Sequence, residues 1–85
     1  MKNFTFTISD KLGIHARPAG MIVKMVKESG AKVTISKDGN DVDASKLMAL
    51  MGMGIKYSDT IKLSVSGDNE NETFEKLKAF FEEIL

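Results

Sequence analysis

Three stretches of this chain alternate strictly between apolar and polar residues, and that alternation restricts the fold more than any other feature. Phe4, Phe6 and Ile8 interleave with Thr5, Thr7 and Ser9. Ala31, Val33 and Ile35 interleave with Lys32, Thr34 and Ser36, and Ile61, Leu63 and Val65 with Lys62 and Ser64. Successive side chains of a strand point to opposite faces, so each stretch is apolar on one side only. Strands buried on both faces would read as continuous apolar runs. The pattern therefore predicts an antiparallel sheet with one face on a core and the other in water.

The intervening segments supply the cover such a sheet needs. Ala19, Ile22, Val23 and Val26 recur at i, i+3, i+4 and i+7, one face of a helix, which Gly30 is placed to close. Asp38-Gly39 reads as a tight hairpin turn into a short strand at 41–43. Ser45 is positioned to cap a short apolar helix reaching about Met53, with Gly54 ending it. Asp68 or Asn69 opens a last helix, Asn69 and Glu72 having capping-box spacing. Its expected buried stripe is Phe74, Leu77, Phe81 and Ile84. The order is β-α-β-β-α-β-α: an α+β, two-layer, open-faced β-sandwich with three helices on one face. No linker, repeat or low-complexity segment interrupts the chain, so residues 1–85 read as one domain.

Composition removes several function classes. Twelve Lys and Arg balance twelve Asp and Glu, which gives no support to nucleic-acid binding. With no Cys and one His, disulfides, thiolate zinc sites, thiol catalysis and His-pair metal sites are excluded, and neither metal nor cofactor is expected. The longest run without charged or strongly polar residues, Leu47 to Ile55, is far short of the roughly 20 residues that span a bilayer. No membrane insertion is expected, and the cytoplasm is the expected compartment.

The one histidine falls in the segment Gly13-Ile14-His15-Ala16-Arg17-Pro18-Ala19-Gly20. A lone histidine in a small domain is most often a solvated surface side chain, but these neighbours give it another reading. Pro18 belongs in a first helical turn, so His15 stands just before a helix N-terminus with Arg17 two residues on. The positive end of a helix disfavours an imidazolium and, through its open backbone N–H groups, favours an anion. A phosphoryl group on His15 would bring a charge of about −2 to this spot. The helix dipole offers such a charge about 0.3–1 kcal/mol and an Arg hydrogen bond about 1.5–3 kcal/mol, so Arg17 is the larger contributor. Ala16 and Arg17 can add backbone donors, whereas Pro18 cannot. A metal site fails, because Asp10 is the only nearby carboxylate and no second His exists. No orienting acid or second nucleophile is recognisable, which disfavours a hydrolase. A reversible phosphohistidine needs only a nucleophile, an anion cradle and access.

The segment GIHARPAG resembles the active-site segment of the HPr family, the histidine phosphocarriers of the bacterial phosphotransferase system. The resemblance extends to the order of elements, to LMALMGMGI at 47–55 and to SGDNE before the last helix. It implies a sheet of order 1-4-2-3. It also implies that His15 accepts a phosphoryl group on Nδ1 from phosphorylated enzyme I and passes it to IIA-type domains of sugar permeases. Arg17 would then be its phosphate-facing partner, and the chain a phosphoryl-transfer intermediate rather than an autonomous enzyme. The alternative is an HPr-like regulatory module that acts by contact with partner proteins. A small enzyme using His15 as general base is a third class. His15 and Arg17 together favour the carrier, because binding alone requires neither.

The second helix lacks a polar face, which suits either full burial or a docking surface. An 85-residue domain has little capacity to bury a helix on all sides. The resemblance implies docking through the first two helices, at Gly20, Met21, Lys24, Leu47, Met48 and Met51, with Leu50 and Ile55 in the core. Methionine suits a surface that receives unrelated partners. Many relatives carry a regulatory Ser at the start of this helix, the target of a dedicated kinase. Here Lys46 occupies that place and Ser45 precedes it, so regulation by such a kinase is expected to be absent or altered. The neutral total also hides an asymmetry: residues 1–67 hold ten basic and six acidic side chains, and residues 68–85 hold two and six.

Overall fold

The computed structural model describes residues 1–85. The elements are β1 (Lys2–Thr7), α1 (Ala16–Ser29), β2 (Lys32–Lys37), β3 (Asn40–Asp43), α2 (Leu47–Gly52), β4 (Thr60–Ser66) and α3 (Glu70–Ile84). The four strands form one antiparallel sheet of order β1-β4-β2-β3. Register follows the alternation: Leu63 lies opposite Phe4 on one side and Ile35 on the other, and Val65 opposite Val33. All apolar rows therefore share one face. On the reverse face the Thr7 and Thr60 hydroxyls are hydrogen bonded at 2.9 Å. Asp38 and Gly39 both have positive φ, 50° and 84°, as a two-residue hairpin twisted with its strands requires.

The helices fill the apolar side. Ala19, Ile22, Val23 and Val26 of α1, Leu50 of α2, and Leu77, Phe80 and Phe81 of α3 join the strand residues in one buried cluster. Phe81 is its aromatic centre, with ring centroids 6.0 Å from Phe4, 5.5 Å from Phe6 and 6.1 Å from Phe80, all edge-on. Edge-on pairs place positive ring edges against negative faces, adding about 0.5–1.5 kcal/mol each to area burial.

Three local expectations are corrected. Ile84 is exposed; Leu85 is buried in its place, because burial at 73, 77, 81 and 85 follows the i+4 row and leaves 84 on the flank. Asn69 does precede α3, but in the left-handed conformation with no capping bond. Its side-chain amide donates instead to the Ser29 carbonyl at 3.2 Å, tying the start of α3 to the end of α1. Ser45 does not cap α2 either. The N-cap is Lys46, and the Ser45 hydroxyl donates to Asp43 Oδ1 at 2.7 Å.

The turn between β1 and α1 is built against two distant segments. Ser9 and Asp10 donate their N–H groups to the Leu85 carbonyl at 2.5 and 2.7 Å. Ile14 donates to the Ile55 carbonyl at 3.1 Å. The stretch carrying Ile55 is itself anchored, since Asp59 accepts from Lys37 at 2.8 Å and from the Lys56 N–H at 2.7 Å. The Lys37 ammonium, then the Lys56 N–H, hold the Asp59 carboxyl below the usual carboxylate range. Gly13 has φ +66°, and a Cβ there would overlap the Ile55 carbonyl and stand 2.7 Å from Lys56 Cα. Gly39 also has positive φ, but a Cβ there meets nothing. Gly39→Ala should cost only the left-handed backbone penalty of about 1–2 kcal/mol. Gly13→Ala should cost about 1–3 kcal/mol more, because the two turns must separate. Urea unfolding of both variants measures the difference.

Candidate functional site

His15 is the N-cap of α1, with extended backbone (φ −95°, ψ −175°) and a carbonyl that accepts the Ala19 N–H at 3.0 Å. Its side chain makes no capping bond, so the imidazole stands clear of the helix and is 38% exposed. Pro18 has no N–H, and the N–H groups of Ala16 and Arg17, in the first turn, find no acceptor within α1. No acidic residue occupies that first turn to compete for them. Two open donors, the positive helix end and the exposed Arg17 thus converge beside the ring, an arrangement suited to an anion attached to His15. The surrounding recess is shallow and lined by His15, Arg17, Pro18, Met21 and Ile84.

Two residues near His15 escape sequence reasoning: Ile84, which lines the recess, and Asp10, which approaches the ring. Periodicity puts Ile84 in the core. Its sign was weak, one apolar residue beside another at the end of a helix, and only packing decides which turns inward. Asp10 was noted only as the nearest carboxylate in sequence. The structure brings its Oδ2 to 4.0 Å from His15 Nε2, close enough for charge interaction and too far for a hydrogen bond. The signal available for it was Gly13, whose positive φ folds the turn back toward residue 15.

The remaining nominated residues divide by exposure. Met21, Leu47 and Met51 are about two-fifths exposed and Met48 is 82% exposed, while Leu50 and Ile55 are buried. The short α2 is thus anchored by Leu50 and free on its other sides, so it is not a wholly buried helix. Helices α1 and α2 pack together, placing these side chains on the same helical layer as His15. Lys24 and Lys46 are exposed, and Gly20 is half-buried with open space where a Cβ would be. Ser45 does not line the recess at His15 and sits in a local network of its own. Its backbone N–H and then its hydroxyl, both donated to Asp43, hold that carboxyl below its ordinary range against a small burial penalty. No group of His, Cys, Asp and Glu side chains is arranged to hold a metal ion. No helix is long and apolar enough to cross a membrane.

Fold and site together define a histidine-bearing phosphocarrier domain. The family model described as "PTS HPr component phosphorylation site" matches residues 2–83, and the chain belongs to the HPr family of the phosphotransferase system. It is 39% identical over 72 residues to the HPr-like protein Crh of Halalkalibacterium halodurans, covering 85% of this chain and 86% of that protein. It is 30% identical over 84 residues to the phosphocarrier protein HPr of Lysinibacillus sphaericus, covering 99% and 96%. The crystal structure of HPr-C-His from Thermoanaerobacter tengcongensis superposes with a TM-score of 0.92 at 34% identity, covering 98% of this chain and 93% of that one.

Gly20 offers a test of the docking face. Glycine inside a helix costs about 0.5–1 kcal/mol relative to alanine, and nothing within the domain requires its absence of a Cβ. Gly20→Ala should therefore raise the thermal midpoint while slowing phosphoryl exchange with partners, as read by calorimetry and by transfer kinetics on one preparation.

Proposed function

We propose that this chain is a phosphocarrier: His15 accepts a phosphoryl group from phosphorylated enzyme I and passes it to IIA-type domains of sugar permeases. The observation that carries this reading is the half-exposed imidazole at the N-cap of α1, beside the open donors of Ala16 and Arg17. The Arg17 guanidinium balances the charge that arrives with the phosphoryl group. Gly20, Met21, Lys24, Leu47, Met48 and Met51 form the face on which partners dock. That face is apolar at its centre and basic around it, which suits acidic partners that must associate and leave quickly. The compartment that fits is the cytoplasm.

A second reading, a regulatory module acting by contact alone, draws support from the likeness to HPr-like Crh proteins. His15 and Arg17 weigh against it, because contact requires neither a nucleophile nor a phosphate ligand. One experiment separates the two. Incubation with phosphoenolpyruvate and enzyme I should give an acid-labile adduct on His15, absent in His15→Ala. Arg17→Ala should slow its formation roughly ten- to a hundredfold, the value of a charged hydrogen bond. A wild-type chain that stays unmodified with competent enzyme I overturns the carrier reading.

Regulation at Ser45 is absent or altered in this reading. A phosphate there would break the Ser45–Asp43 bond and set a dianion against a carboxylate already held in its charged form. Incubation with an HPr kinase and ATP should leave Ser45 unmodified by peptide mass mapping. Stoichiometric phosphoserine at 45 would refute this.

A further inference from the structure

We propose that Asp10 is a positioning residue for His15: its carboxylate faces Nε2 and favours the tautomer with the proton there, leaving Nδ1 as the nucleophile for phosphoryl transfer. The inference rests on the phosphocarrier reading for its second half. The geometry comes from the turn. The Asp10 N–H donates to the Leu85 carbonyl at 2.7 Å, its own carbonyl accepts the Gly13 N–H at 2.9 Å, and Oδ1 accepts the Leu12 N–H at 2.8 Å. With backbone and one carboxylate oxygen committed, Oδ2 is the free atom, and it lies 4.0 Å from Nε2. The carboxylate is thus aimed by three bonds that do not involve the histidine. Arg17 is the one charged side chain besides His15 lining the recess; α3 contributes apolar Ile84 there, and the oxygen of Leu85, the residue after it, accepts the Asp10 N–H.

The chemistry benefits from such a group. In the forward step the Nδ1 lone pair attacks the phosphorus of a phosphorylated donor protein. The N–P bond forms, the bond from phosphorus to the donor breaks with its electron pair leaving on the donor, and the proton stays on Nε2. The product is a phosphoimidazolium whose positive charge faces Asp10. In the return step an acceptor nucleophile attacks phosphorus and the N–P electrons go back to Nδ1. With Nε2 protonated the leaving group is neutral imidazole; without that proton it is an imidazolate, a far poorer one. A carboxylate facing Nε2 favours the tautomer with the proton on that nitrogen over the one with it on Nδ1. It does so from a partly solvated position, so its effect is modest.

Asp10→Asn removes the charge and keeps an oxygen for the Leu12 N–H, leaving the turn intact. In the unphosphorylated protein, ¹⁵N spectra of the neutral His15 ring should show the proton chiefly on Nε2 in the wild type. The asparagine variant should show a mixture of the two tautomers. In the phosphorylated protein, transfer to a IIA-type acceptor should be slower for the variant by about fivefold, the scale of one charge pair at 4 Å in a solvated site. Asp10→Glu should restore part of the loss, because charge is the active property. Unchanged tautomer populations, or equal transfer rates for wild type and Asp10→Asn, overturn the assignment. A chain that takes up no phosphoryl group refutes the carrier reading, and the tautomer measurement still decides the role of Asp10.

Discussion

The whole arrangement depends on the burial of one side of one sheet. In β4, Leu63 faces Phe4 across one ladder and Ile35 across the other, so three strands present a continuous apolar surface that water must not reach. Each side chain so buried contributes about 1.5–3 kcal/mol, and the sheet buries many of them at once. Covering that surface fixes where α1, α2 and α3 lie. Because α1 must place Ala19, Ile22, Val23 and Val26 inward, its N-terminal end and His15 come to rest at the margin of the helical layer. The imidazole is exposed because its helix is committed elsewhere.

At that margin the turn from 8 to 14 is not left to its own propensities. It leans on the stretch before β4 through the Ile14–Ile55 bond and the close approach of Gly13, and on the end of α3 through Leu85. Asp59 fastens the first of these supports by accepting from Lys37 and Lys56 at once. The His15 end of α1 is thus braced by polar contacts at a distance. The exposed apolar residues of α2, by contrast, are held through a single buried leucine, Leu50.

Much of this was legible in the amino-acid order, for definable reasons. Period-two alternation specified the strands and their common face, and the 3.6-residue period specified α1. The motif around His15 specified its place at a helix N-terminus through Pro18, which begins a helix without an N–H to satisfy. What escaped depends on contacts between distant segments. Asn69 and Ser45 have the composition of caps, yet each side chain found a better partner, the Ser29 carbonyl and the Asp43 carboxylate. Ile84 fits a buried stripe as well as Leu85 does, and only the direction of the final turn decides between them. Asp10 looks like an ordinary turn residue until the backbone bends it toward the imidazole.

The contact between residues 13–14 and 55–56 has a consequence for how the molecule assembles. β1 pairs with β4 rather than with its neighbour in sequence, so closing that ladder encloses more than fifty residues. Loop closure on this scale is entropically costly before its contacts form, which places the pairing among the slow, high-contact-order events of folding. The support for His15 lies inside that closure. While β1 is unpaired, Ile8 and Asp59 are not bonded and the Ile55 carbonyl has no Ile14 to receive. A helix with the sequence of α1 can form early, but the shaped entrance to it cannot. The shaped surroundings of His15 are therefore a late product of folding, absent from partly assembled chains.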